Sequence, residues 1–141
     1  MGKSLVGMVA VMALLYLPEA HGGYREQQKV TDAEIVRLPK FCWAQMEVPG
    51  AVGAEFTPQN CGAGTNHYCL GLVDLLRAKS PLTKSKSDRI RFLRSAENSI
   101  AYTEKWTKDQ PYCSITPHVQ ATKAEVARLL GIYGGRPPAP K

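Results

Sequence analysis

Four cysteines, Cys42, Cys61, Cys69 and Cys113, lie downstream of a hydrophobic leader, and no other feature limits the fold of this chain so strongly. An even cysteine count behind an export leader points first to disulfides, and only second to metal binding or catalysis. The densest signature is Cys61-Gly-Ala-Gly-Thr-Asn-His-Tyr-Cys69-Leu-Gly. Spacing alone leaves more than one pairing open.

The leader sets the redox context. Lys3 supplies a short positive start, and residues 5–17 form an apolar run of thirteen. Pro18, Glu19, Ala20, His21 and Gly22 then break it. A bilayer span needs about 20 apolar residues, whereas a signal-peptide core has about 7–15. The reading is a signal peptide over 1–22, cleaved after Ala20 or Gly22, with a retained short anchor as the alternative. The expected location is periplasmic or secreted, and membrane-associated if the anchor is kept.

Roughly 120 residues would remain, the size of one small domain. Lys3 and Glu19 cancel, so the processed chain keeps the formal charge of +6. Much of that excess is local. Between Arg77 and Lys108 nine basic residues face three acidic ones, Asp88, Glu97 and Glu104. Such a stripe can meet an acidic protein or anionic lipid. Nucleic acid does not fit an exported protein, and the plainer alternative is a solvated helix face.

Helical patterns dominate, with no strong strand alternation. Residues 23–39 read as a polar N-terminal segment, loose over 24–30, with a short helix over 32–38. That helix starts at the capping box Thr31-Asp-Ala-Glu34 and stops at Pro39. Residues 41–47 suggest another helical turn or two. Glycine, proline and asparagine over 48–65 predict a long irregular loop, which Cys61 would pin down. Asn66 is the expected cap of a helix through Lys79, buried through Tyr68, Leu72, Leu75 and Leu76. A second helix should start at Ser87 or Asp88 and run to about Trp106, with Ile90, Leu93, Glu97, Ile100 and Glu104 in one row and Phe92, Ala96 and Thr103 beside them. Thr116-Pro117 then opens a third helix carrying Val119, Val126, Leu129 and Leu130, closed by Gly131. The stapled domain thus covers 40–131, and 132–141 read as a flexible Pro/Gly tail.

Three segments carry a family resemblance: Leu38-Pro39-Lys40-Phe41-Cys42, Asn66-His67-Tyr68-Cys69-Leu70-Gly71-Leu72, and Arg77-Ala78. Together they resemble the disulfide-bearing N-terminal module of exported bacterial tetratricopeptide-repeat proteins. Arg91-Phe-Leu-Arg-Ser-Ala96, Ile100-Ala-Tyr102 and Pro111 look like that module's second helix and exit, so the likeness spans about residues 40–130. It implies a mainly α, small helix-turn-helix domain with a long irregular loop and two disulfides. Small residues at Gly71 and Ala96 suit the crossing of a repeat hairpin, whose unit is about 34 residues. The third helix would open a next repeat, but the chain stops before an array is built. The resemblance further implies the pairing Cys42–Cys69, which leaves Cys61–Cys113 as the second bridge.

Chemical readings compete with this scaffold. Cys61, His67, Cys69, Cys113 and His118 include the ligand types of a zinc site, but Cys-x5-His-x-Cys is not a usual structural spacing. A Cys–His nucleophile needs a free thiol and an orienting group, and nothing marks one cysteine out. Asp74, Glu97 and Glu104 stand apart from any second carboxylate. The glycines over 131–135 open no helix and so form no phosphate cradle. No Cys-x-x-Cys-His attachment for haem is present, and no cofactor or metal is expected. The favoured reading is a non-catalytic, exported protein-interaction module, an accessory subunit of a larger envelope or membrane complex. Its contact residues would be Arg89, Arg91, Arg94, Tyr102 and Trp106. Trp43 and Trp106 are each either interface anchors or packing residues. The alternative is a small secreted enzyme or zinc-binding protein built on the Cys/His cluster.

Overall fold

The computed structural model describes residues 23–134. The expected signal peptide over 1–22 and most of the expected tail lie outside the described residues. Within them the chain is mainly helical and has no strand. Two single-turn helices, α1 (Tyr24–Gln27) and α2 (Asp32–Ile35), precede three long ones: α3 (Asn66–Lys79), α4 (Lys86–Thr107) and α5 (Thr116–Ile132). Both disulfides are formed, Cys42–Cys69 and Cys61–Cys113, and they close spans of 27 and 52 residues.

Local chemistry sets the ends of these elements. The Glu34 N–H donates to Thr31 Oγ1 (3.2 Å) and the Thr31 N–H donates to Glu34 Oε2 (2.9 Å), the reciprocal capping box. The predicted helix over 32–38 ends early, at Ile35. Arg37 and Leu38 instead bond three residues back, to Glu34 and Ile35, as the chain tightens toward Pro39. Residues 41–47 form a 3-10 turn (Lys40–Cys42) followed by turns, and 48–65 is irregular apart from a 3-10 turn at Ala54–Phe56. Asn66 is not the cap of α3. Thr65 holds that place without a side-chain bond, and Asn66 is already helical, its Oδ1 accepting from the His67 N–H at 3.1 Å.

α4 begins one or two residues earlier than its pattern suggests because Ser85, not Ser87, accepts from the Asp88 N–H at 3.2 Å. At the other end of the chain, Gly131 stays helical and α5 runs on to Ile132. Gly134, with φ of 69°, makes the left-handed exit in its place. With these two added residues the Tyr133 ring lies 5.7 Å from the Arg89 guanidinium. Thr116 lies inside α5 rather than capping it, and its buried hydroxyl has no partner.

α3 and α4 form an antiparallel hairpin tied at both ends. Near the turn, Arg89 donates to the Ala78 and Ser80 carbonyls (2.5 and 3.1 Å), closing off the C-terminus of α3. At the open end, the Thr103 hydroxyl donates to the Gly64 carbonyl at 3.3 Å. Gly71 marks the closest approach between them: a Cβ there would lie 3.0 Å from Ser99 Cβ and 3.4 Å from the Ala96 carbonyl oxygen. α5 packs antiparallel to α4, with Lys123 paired to Glu104 (2.7 Å) and Lys79 of α3 paired to Glu125 (2.6 Å). Tyr68, Leu75, Leu93, Ile100, Ile115, Val119, Val126 and Leu130 fill the core between the three helices, with the Cys61–Cys113 bridge at its edge.

A second core lies on the other flank of α3. Val30, Ile35, Leu38 and Met46 are buried there with Val73 and the Cys42–Cys69 bridge. Residues 24–30, expected to be loose, are fastened to this flank by Arg77. Its Nε donates to Glu34 Oε1 (2.6 Å), and its Nη2 donates to the Gln28 and Lys29 carbonyls (3.1 and 3.2 Å). Burial alone would push the Glu34 pKa up. The bonds from Arg77 and Thr31 outweigh it and hold Glu34 below the usual carboxylate range.

Loop-closure entropy assigns about 3.5 kcal/mol to Cys42–Cys69 and about 4 kcal/mol to Cys61–Cys113. Replacing either pair with serine should lower the denaturation midpoint accordingly in urea titrations. Gly71→Leu should cost about 1–3 kcal/mol by overpacking the hairpin crossing. Because the folded Glu34 pKa lies below its unfolded value, the stability it contributes is present above the unfolded pKa and lost as pH falls through the folded one. Thermal midpoints should therefore drop below about pH 4.3, and less steeply in Glu34→Gln. An unchanged acid slope in that variant would show that Glu34 does not carry the effect.

Candidate functional site

The five residues expected to meet a partner all sit on α4, and the structure gives them different work. Arg89 is committed to the Ala78 and Ser80 carbonyls and to the Tyr133 ring. Arg94 is half-buried and paired with Glu97 at 2.8 Å. Arg91 is exposed, pairs with Asp88 (3.2 Å), and lies 4.4 Å over the Phe92 ring. Tyr102 and Trp106 are 41% and 46% exposed, enough for both rings to be open to contact. One helical face carries Arg91, Asn98, Tyr102 and Lys105, and Trp106 flanks it.

Around the two aromatics the sequence reading missed a larger feature. His67, at the start of α3, packs on Tyr102 with ring centroids 4.1 Å apart, and Tyr102 lies 6.2 Å from Trp106. The three rings form one ladder across the open end of the hairpin, with Tyr102 and Trp106 exposed and His67 half-buried. Gly64 makes room for it: with φ of 87°, it lies so close that a Cβ would fall 2.6 Å from the Trp106 ring. Tyr24 joins the edge through the bond that its hydroxyl accepts from the Asn66 side-chain amide. His67 and Tyr102 lie 35 positions apart in sequence. Only the antiparallel pairing of α3 and α4 brings them together. Trp43 takes the other fate, stacking on Phe56 at 6.0 Å and donating its indole N–H to the Leu38 carbonyl.

The nine-residue basic stripe does not persist as one surface. Arg77, Lys79, Arg89, Arg91 and Arg94 are spent on Glu34, Glu125, the helix-end carbonyls, Asp88 and Glu97 respectively. Lys105 and Lys108, at the Trp106 end of α4, keep exposed ammonium groups beside the ladder.

A thiolate chemistry has nothing to start from, since all four cysteines are in disulfides. His118 packs on Phe41 at 5.3 Å, and among the described residues no three His, Cys, Asp or Glu side chains gather as metal ligands. Asp74 is the carboxylate whose pKa burial raises, with a bond to Ser95 and the charges of Arg77 and Arg91 opposing the shift. The Glu34 charge adds to the rise, but that carboxylate is held by Arg77. Among the described residues no helix is long and apolar enough to cross a membrane. The two disulfides fit an oxidising, extracytoplasmic setting.

Gly64→Ala should displace Trp106, shifting its indole N–H resonance while that of Trp43 stays in place. Unmoved resonances for both would mean that the ladder does not depend on the close approach at Gly64. No protein-family model, curated protein or solved structure matches the chain.

Proposed function

We propose that this protein is a non-catalytic, exported helical interaction module that binds another protein through the outer face and C-terminal end of α4. The periplasm or the outside of the cell is its place of work, and its role is that of a small accessory subunit of an envelope or membrane complex. The observation that carries this reading is the ladder His67–Tyr102–Trp106, whose two larger rings are exposed. Tyrosine and tryptophan lose little side-chain entropy on binding and dominate interface hot spots. Lys105 and Lys108 beside the ladder favour an acidic rim on the partner. The hairpin α3–α4 followed by α5 also supports the likeness to a helical repeat module stapled by disulfides.

The test is co-purification from the native envelope, with mass spectrometry of the chains recovered. The wild-type protein should bring down a defined partner, and Tyr102→Ala with Trp106→Ala should lose it while keeping the melting temperature. Each truncation is expected to weaken binding by about 10-fold or more. Raising salt should slow association if the lysines steer the encounter. If the wild type emerges alone, or the double variant keeps the same partner, the proposal fails.

A further inference from the structure

A cleft of about 430 Å³, well separated in sequence from the ladder residues, lies where α2, the last turn of α3 and the 80–83 connection meet α4. Leu76, Leu82 and Phe92 give it an apolar wall, and Ala33, Arg37 and Thr83 complete the rim. Leu82 is 84% exposed, so its side chain projects at the mouth without cover.

The polar groups around the cleft are nearly all spent. The Thr31 hydroxyl bonds Glu34, the Thr83 hydroxyl donates to the Arg77 carbonyl at 2.8 Å, and Ser80 Oγ accepts from the Leu82 N–H at 3.2 Å. Glu34 and Arg77 neutralise each other. Arg37 differs: among the described residues its guanidinium has no ion pair or hydrogen bond. A largely apolar wall with one unspent cation at its rim matches a ligand of the opposite design, a single anionic head on an apolar chain.

We propose that this cleft binds a medium-chain fatty carboxylate, with the head on Arg37 and the alkyl chain against Leu76, Leu82 and Phe92. The Glu34 carboxylate does not repel that head, because Arg77 already holds it. A peptide C-terminus would offer the same carboxylate but would carry amide groups into a wall whose donors and acceptors are committed, which costs affinity. The alkyl chain brings no such groups.

The experiment is a titration of the isotope-labelled protein with sodium decanoate below its micellar concentration, followed through backbone amide resonances. Saturable shifts are expected at residues 31–37, 76–83 and 92. Arg37→Glu, an exposed charge reversal, should weaken binding at least 10-fold, and Ala33→Trp should block the cleft. Decanol and decyltrimethylammonium should each bind at least 10-fold more weakly than decanoate. Four results would overturn the assignment: no saturable shift, shifts confined to other residues, undiminished binding by Arg37→Glu, or tighter binding of a tri-leucine peptide with a free carboxylate. The ladder plays no part in this titration, so its outcome is independent of the partner-binding proposal.

Discussion

The Cys42–Cys69 bridge is the joint on which the two halves of the structure depend. Both cysteines are fully buried, and each stands next to an aromatic residue, Phe41 and Tyr68, whose rings lie 6.2 Å apart. The bridge belongs to the small core under the N-terminal segment, while Tyr68 belongs to the large core between α3, α4 and α5. Tyr68 then reaches α5 through the 2.8 Å bond between its hydroxyl and that of Thr122. The bridge fixes the small cluster to α3, and Phe41 and Leu72, packed against both clusters, couple it to the large one; each would be marginal alone in a domain of this size. The other bridge does a different job. It anchors a loop with little regular structure to the turn before α5, a segment that lacks the apolar content to hold itself.

Charge serves the fold before it serves the surface. Arg77 holds the N-terminal segment, Arg89 closes the end of α3, and Lys79 and Lys123 join helices. Arginine suits the first two tasks because its planar fork reaches several carbonyl or carboxylate oxygens at once. The positive residues that crowd the middle of the sequence are thus mostly fastenings. What they leave free is split between Lys84 and Lys86 at the hairpin turn and Lys105 and Lys108 next to the exposed aromatic rings at the Trp106 end of α4.

The three long helices were legible in the sequence because each carries apolar residues at a 3.6-residue period. The hairpin crossing at Gly71 and Ala96 was legible for the same reason: only small residues permit that approach. The disulfide pairing was expected from the proposed family resemblance, because spacing alone left more than one pairing open. Helix ends were less legible. Ser85 and Ser87 are equal candidates as caps by residue type, and the choice between Gly131 and Gly134 turned on Tyr133 finding Arg89. The partners of Arg77 and the contact of His67 with Tyr102 are long-range. No local pattern encodes them, so the N-terminal segment read as loose and the ladder went unseen.

The two bridges are interlaced, since Cys61 lies inside the span closed by Cys42 and Cys69 and its partner Cys113 lies outside it. A chain that emerges N-terminus first presents Cys42 and Cys61 before either proper partner has arrived. An oxidant acting on thiols in order of appearance would join those two and strand Cys69 with Cys113. Maturation therefore calls for oxidation delayed until Cys113 is out, or for thiol–disulfide exchange that corrects the early bond. The order in which the cysteines occur thus makes the native pairing depend on when along the chain's emergence oxidation takes place.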